Sequence, residues 1–136
     1  MRKVVQLEIR KCKLNEAHSC KEDDNCMTVA QIMRDKKERH VIVCKSMKPV
    51  GIISSVDMVN KIVAEGKDPK KVNAKDVMVS PVHTVDADES VIKAYFDMGK
   101  MNIYSCPVVD KGKLIGNLAL HETLRYMKEK KEKSEQ

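Results

Sequence analysis

The sequence predicts an α/β protein, of the α+β kind, built from two copies of a β-α-β-β-α unit. Of its 136 residues, 42% are hydrophobic, and these recur at helix and strand spacings. A shift of 65 residues aligns the two halves without a gap, which indicates an internal repeat. His18, Met33 and Gly51 then fall on His83, Met98 and Gly116. Because neither half can bury a good core alone, we expect the halves to pack about a pseudo-twofold axis.

The second half shows the order of elements most clearly. Ser90 opens a run of apolar residues at helical spacing that includes Val91, Ala94 and Met98. A Gly-containing turn at residues 110–113 separates two apolar runs and predicts a hairpin. The predicted elements are a strand at 81–85, a helix from 90 to 101, strands at 104–109 and 114–118, and a closing helix at 122–131.

The first half repeats this order. Its predicted elements are a strand at 17–20, a helix at 26–36, strands at 40–44 and 49–53, and a helix at 57–65 with Gly66 as its stop signal. We place the first motif at residues 8–66, a linker at 67–75, the second motif at 76–131 and a charged tail at 132–136.

Composition excludes several classes of protein. The chain has one Phe, three Tyr and no Trp, which argues against binding single-stranded nucleic acid by base stacking. No apolar run approaches the roughly 20 residues of a membrane-spanning helix, and the N-terminus lacks the apolar stretch of a secretory signal. The five Cys are an odd number without framework spacing, so we expect reduced thiols in a cytoplasmic protein.

Several segments, taken in order, resemble the cystathionine-β-synthase (CBS) domain family. In the second half these are Asp76-Val-Met78 and residues 81–85, 106–110 and 112–116, and residues 50–57 resemble the end of another copy. The chain is similar to a stand-alone tandem CBS pair over about residues 8–127. The likeness is weakest before residue 41, where Lys11-Cys-Lys13 stands in place of Asp76-Val-Met78.

This resemblance implies a regulatory module and not an enzyme. Members of the family bind adenosyl ligands, such as AMP, ADP, ATP or S-adenosylmethionine, in clefts between the two motifs. Two pairs commonly associate, so the resemblance implies a homodimer. It also implies a regulated partner protein, to which ligand occupancy would be signalled.

The family's ribose-binding pattern matches Gly51-Ile-Ile-Ser54-Ser-Val-Asp57. By this resemblance, the Asp57 carboxylate would hold both ribose hydroxyls, and Ser54 would donate to ribose or phosphate near a helix N-terminus. The spacing of Ser54 and Asp57 is equally typical of a capping box, which needs no ligand. The two interpretations are compatible, since one helix start can do both.

The resemblance places the adenine of this ligand against the other motif. By position, the residues that would contact it are Val82, His83, Ile103 and Tyr104. Val82 and Ile103 would supply apolar contact. The alternatives are ordinary core packing for Val82 and Ile103, and a surface strand position for His83.

The matching segment of the second motif departs from the ribose pattern. Ala119 replaces the hydroxyl residue, and Glu122 replaces Asp with a side chain one methylene longer. We therefore expect one functional cleft and a weaker second cleft bearing His18 and Glu122.

The cysteines near His18 and His40 raise the possibility of a metal site. Their spacing does not suit a zinc knuckle, whose Cys pairs are two to four residues apart. In the repeat, Cys20, Cys26 and Cys44 fall on Val positions, so we expect buried, reduced, metal-free thiols. No phosphate-binding loop or nucleophile motif is present, and the sequence predicts neither catalysis nor a cofactor.

Two alternatives to a ligand sensor remain. One is a ligand-free scaffold whose CBS pair only dimerises. The other is a nucleic-acid-associated regulator that uses the basic N-terminus, where Arg2, Lys3, Arg10, Lys11 and Lys13 cluster. No helix-turn-helix or zinc finger accompanies this charge, and the tail at 128–133 mixes both signs.

Overall fold

A computed structural model describes residues 7–134, which fall into two compact units. One unit is residues 17–82. The other combines residues 83–134 with the segment that precedes residue 17. Arg2 and Lys3, and the last two residues of the predicted tail, lie outside the described residues.

The unit at 17–82 contains a three-stranded sheet in the order β1-β2-β3. Strand β1 pairs parallel to β2, and β2 pairs antiparallel to β3. The elements are β1 (Ser19–Lys21), α1 (Cys26–Lys36), β2 (His40–Lys45), β3 (Lys48–Ser54), α2 (Ser55–Met58) with a π-helical turn at Val59–Val63, a 3₁₀ turn at Pro69–Lys71, and α3 (Ala74–Val77).

Local chemistry explains where α1 begins and ends. The Asn25 side chain accepts a hydrogen bond from the Thr28 amide at 3.0 Å, which caps the N-terminus. Lys37 adopts a left-handed conformation, with φ of 55°, and ends the helix. Between these caps Val29 is fully buried against Val41 and Ile53 of the sheet.

The second unit repeats this topology with a sheet in the order β4-β5-β6. Its core includes Ile9, Val91, Met98, Val108 and Leu118, all fully buried. The elements are a 3₁₀ turn at Ile9–Lys11, β4 (Val85–Asp86), α4 (Val91–Met101), β5 (Ser105–Asp110), β6 (Lys113–Ala119) and α5 (Leu120–Ser134).

The 65-residue repeat predicted from the sequence is confirmed in the elements themselves. The bounds of α1 and α4 differ by 65 residues. The same difference separates β2 from β5 and β3 from β6. Even the irregularity recurs: Val43 pairs with Gly51 and Val108 with Gly116, and each pair is followed by a register shift.

Each unit includes a leading segment, which is a stretch of chain that precedes the other motif in the sequence. The leading segment is residues 7–16 in the second unit and residues 73–79 in the unit at 17–82. In the second unit, Glu8 forms a bridge with Ser90, and Asn15 with Asn117. In the unit at 17–82 the corresponding bridges join Asn73 to Asn25 and Val79 to Ile52. The predicted linker at 67–75 thus contains the start of a segment that completes a core.

Two glycines allow these segments to approach the hairpins. A Cβ on Gly51 would lie 2.5 Å from Met78 Sδ and 3.0 Å from the Val79 oxygen. A Cβ on Gly116 would lie 3.0 Å from Leu14 Cβ and 3.2 Å from the Asn15 oxygen. The repeated glycine is therefore required by close packing.

Several predicted bounds need correction. The strand predicted at 81–85 is limited to Val85–Asp86. In the first unit, Ser19 is paired beside Ile42, whose amide donates to the His18 carbonyl at 3.0 Å. The repeat places Pro107 at the position of Ile42, and proline has no amide hydrogen, so pairing begins later.

The closing helices also differ from their predicted bounds. They begin at Ser55 and Leu120, earlier than the predicted 57 and 122, and the first passes into a π turn after Met58. The short helical segments Ile9–Lys11 and Ala74–Val77 were not predicted, because they are too brief to show a period. No helix in the described part of the chain is long and apolar enough to cross a membrane.

Candidate functional site

Ser54 and Asp57 lie where strand β3 turns into α2. The Ser54 amide donates to Asp57 Oδ2 at 2.8 Å, and the Asp57 amide donates to Ser54 Oγ at 3.0 Å. This is a reciprocal capping box, so the capping interpretation of the pattern is confirmed. It also fixes the position of the Asp57 carboxylate at the end of the strand.

The carboxylate of Asp57 is partly buried and ionised. Burial by itself raises its pKa, but hydrogen bonds from Ser54 and the nearby Lys61 ammonium outweigh this effect and hold the pKa below its usual value. The Asp57 side chain is 16% exposed, and Lys61 Nζ lies 3.3 Å from Asp57 Oδ1. A charged acceptor of this kind can bind a pair of hydroxyl donors.

Lys61 is a residue of this region that the sequence analysis did not single out. Its Nζ donates to the Val77 carbonyl at 2.8 Å while it contacts Asp57. Lys61 therefore joins the helix start to the end of α3. The i,i+4 spacing from Asp57 was the available signal.

The other residues predicted for this ligand lie on both sides of the division between the units. Val82 ends the unit at 17–82, and His83 begins the stretch assigned to the other. His83 Nε2 is buried, with no hydrogen-bond partner in the described part of the chain. Ile103 packs partly buried against the second core, and Tyr104 is 76% exposed.

The residues predicted for the weaker cleft have protein partners. His18 lies in the unit at 17–82, with its Nε2 3.7 Å from Glu38 Oε1. Glu122 lies in the other unit and is buried, with only 5% of its side chain exposed. Its Oε1 lies 3.2 Å from His121 Nε2 and 3.5 Å from Arg125 Nη1.

The cysteines are buried, as predicted for Cys20, Cys26 and Cys44, and all five are free thiols. Burial is the main cause that raises the pKa of Cys20, and likewise of Cys106, to about 12. Among residues 7–134, no group of three or more His, Cys, Asp or Glu side chains is arranged to hold a metal ion.

Comparison with known proteins agrees with this architecture. The model of the CBS domain matches residues 10–64 and 74–129. The chain belongs to the CBS-domain family. It contains two CBS domains in tandem, and the bounds of the matches follow the internal repeat.

A curated relative and two solved structures are similar to this tandem CBS protein. The uncharacterized protein MK0525 of Methanopyrus kandleri is 42% identical over 86 residues, which are 62% of this chain and 44% of that protein. The match therefore spans less than half the length of that relative.

The two solved structures share the fold. The CBS domain protein TA0289 of Thermoplasma acidophilum, of unknown function, has a TM-score of 0.71 at 21% identity, covering 90% of this chain and 70% of that one. The CBS domain protein PAE2072 of Pyrobaculum aerophilum, solved in complex with AMP, has a TM-score of 0.71 at 22% identity, covering 85% and 89%.

Proposed function

We propose that this CBS pair is a regulatory module that binds an adenine nucleotide or another adenosyl compound and signals its occupancy to a partner protein. The observation that carries the proposal is the ionised, partly buried Asp57 carboxylate held at the β3–α2 turn by Ser54. The AMP complex of PAE2072 supports a nucleotide as the ligand class. The five free thiols suit a reducing compartment such as the cytoplasm.

In this proposal Asp57 accepts hydrogen bonds from the 2′- and 3′-hydroxyls of the ribose. Its Oδ2 already accepts from the Ser54 amide, and its Oδ1 lies beside Lys61. Each carboxylate oxygen has a further lone pair, so the ribose can be held without breaking the cap. Val82, His83, Ile103 and Tyr104 are the residues we propose for the rest of the ligand.

Thermal denaturation in the presence of AMP, ADP, ATP and S-adenosylmethionine tests whether such a ligand binds. A ligand present at a hundred times its Kd stabilises the folded state by about 2.7 kcal/mol. For a protein of this size that raises the Tm by several degrees. GMP serves as the control for the base. If no adenosyl compound raises the Tm more than GMP does, the proposal fails.

The ribose contact has a sharper test in 2′-deoxy-AMP. This ligand lacks one of the two hydroxyls, so calorimetry should show weaker binding to the natural chain by about tenfold, corresponding to about 1.5 kcal/mol. In an Asp57→Ala variant the same ligand change should have little effect, because the acceptor is gone. Equal losses in both proteins would show that Asp57 does not contact the ribose.

We also propose that the chain forms a homodimer. Val56, Val59 and Val63 follow one another at helical spacing from α2 into the π turn and are 62%, 55% and 72% exposed. In the second unit Ile92, Phe96 and Leu124 are also exposed, at 45%, 58% and 47%. Exposed apolar groups of this kind favour association. Light scattering that gave a monomer at high protein concentration would contradict the homodimer. It would not bear on the proposal that an adenosyl ligand binds.

A further inference from the structure

The second unit contains a cavity, whereas Ser54 and Asp57 belong to the unit at 17–82. The cavity has a volume of about 340 Å³ and lies between the segment at the 3₁₀ turn Ile9–Lys11 and helix α5. Cys12 and Tyr126, which are 6% and 8% exposed, form its uncharged lining. Cys12 Sγ donates to the Glu122 carbonyl at 3.5 Å and so ties the segment to the helix.

Charged side chains make up most of this lining. They are the cations Lys11, Lys13, Arg125, Lys130 and Lys133, and the carboxylates Glu122 and Glu129. The lysines come from two distant parts of the sequence, both rich in basic residues: Lys11 and Lys13 from one, Lys130 and Lys133 from the other. All of them belong to the same compact unit.

The charges of the cavity do not cancel. Glu122 is paired with Arg125, whose Nη1 lies 3.5 Å from its carboxylate. Four lysines then face one remaining carboxylate, that of Glu129. Within residues 7–134, Lys11 and Lys13 have no ion-pair partner. Lys130 Nζ lies 5.5 Å from the centroid of the Tyr126 ring, which holds it at the wall by a cation–π contact.

We propose that this cavity binds a compact, phosphate-rich anion such as pyrophosphate. Lysine ammonium groups bind phosphate as point charges, and several of them together suit a ligand with several charges. Because little of the lining is uncharged, the ligand has little apolar body. The volume is near the lower end of the range for small-molecule sites, which favours a small ligand over a macromolecule. Glu122, which the sequence assigned to the weaker adenosyl cleft, also lines this cavity, but its carboxylate is already paired with Arg125. The site therefore rests on the lysines and goes beyond the proposed nucleotide function.

Calorimetric titration of the full chain with sodium pyrophosphate tests the proposal. Lys11→Gln combined with Lys13→Gln should lower the affinity at least tenfold. The matched control is Lys45→Gln combined with Lys48→Gln, which removes the same charge from exposed positions of the β2–β3 hairpin in the other unit. The control should keep the affinity within twofold. All four lysines are exposed, so both double variants should fold.

Two further variants each remove one negative charge, and the contrast between them separates this site from a general effect of surface charge. Glu129→Gln should raise the affinity several-fold, because it removes the carboxylate that repels the anion. Asp57→Ala should leave pyrophosphate binding unchanged, which separates this site from the proposed nucleotide site. An equal loss in the two lysine variants, or no binding to the natural chain, would overturn the proposal. Tighter binding of duplex DNA than of pyrophosphate, lost with Lys11 and Lys13, would replace it with a nucleic-acid surface.

Discussion

The closing helices of the two motifs begin at equivalent positions, but their first turns are held differently. The amides of Ser55 and Leu120 both donate to a loop carbonyl, of Arg39 and Tyr104 respectively. Ser54 and Asp57 then cap the first helix reciprocally, whereas Ala119 cannot cap the second. Asp57 of the first motif lies at the strand–helix turn, whereas Glu122 of the second motif is buried beside Arg125.

This difference shows how a repeat can keep its fold while its two copies change chemically. The register of the hairpins and the glycine beneath each leading segment are retained in both motifs. Fold maintenance needs those features in each copy. The acid at the helix start is under no such constraint, so we expect the two copies to differ most in ligand binding.

The largest expected effect is on the affinity for an adenosyl ligand. Asp57→Ala removes an acceptor of two charge-assisted hydrogen bonds and should cost about 2–3 kcal/mol in binding, at about 1.5 kcal/mol each. That is roughly a thirty- to hundred-fold loss of affinity by calorimetry. Glu122→Ala should change the affinity little, because Ala119 already breaks the pattern.

Loss of the cap has to be separated from loss of the ligand contact. Asp76 provides the control, since its Oδ2 accepts from the Asn73 amide at 3.4 Å and caps α3 in the same unit. Asp76→Ala should lower stability without changing affinity. If Asp57→Ala behaves in the same way, Asp57 is only a cap and the ribose proposal is wrong.

A smaller effect should be shared by the two motifs. Gly51→Ala and Gly116→Ala each place a Cβ against the leading segment, and each should destabilise the fold by about 1–3 kcal/mol in denaturant titration. Gly99→Ala in α4 is the control, because no atom lies within 4 Å of the added Cβ. Alanine should stabilise that helix by up to about 1 kcal/mol. A neutral result at Gly51 or Gly116 would show that its leading segment does not pack closely.

The pH dependence of stability should reveal the first helix start. Because the folded pKa of Asp57 is lowered, its ionised form adds stability above its unfolded pKa of about 4. That stability, of about 1 kcal/mol for a cap, is lost as the pH falls through the folded pKa. The gap in unfolding free energy between the natural chain and Asp57→Asn should therefore narrow from pH 7 to pH 3. A constant gap would mean that the charge of Asp57 contributes nothing.

The smallest expected effect is the alkylation of the buried thiols in the native protein, which should be equally slow in both units. With a pKa of about 12, Cys20 and Cys106 have on the order of one thiolate in ten thousand molecules at pH 8. Iodoacetamide should label them only after denaturation, as mass spectrometry would show. Rapid labelling of either thiol in the native protein would indicate that its core opens readily.

The sequence predicted α1, α4 and the two hairpins closely because their signals are local. Ser90 was expected to open α4, and its hydroxyl accepts from the Lys93 amide at 3.3 Å. Helix α1 has the predicted bounds. The strand predicted at 81–85 is too long, because its partner strand contains Pro107, which has no amide hydrogen to donate.

The sequence by itself determined the order of elements, the 65-residue repeat and the helix start bearing Ser54 and Asp57. The elements and the helix start depend on spacing, turn residues and caps within a few positions of one another, and the repeat depends on comparing two such local patterns along the chain. Only the tertiary structure decided which leading segment completes which core and which partners surround Glu122. It alone brought Cys12 to Glu122, 110 residues apart, and so created the cationic cavity. Such contacts depend on how distant segments pack, and no local pattern encodes them.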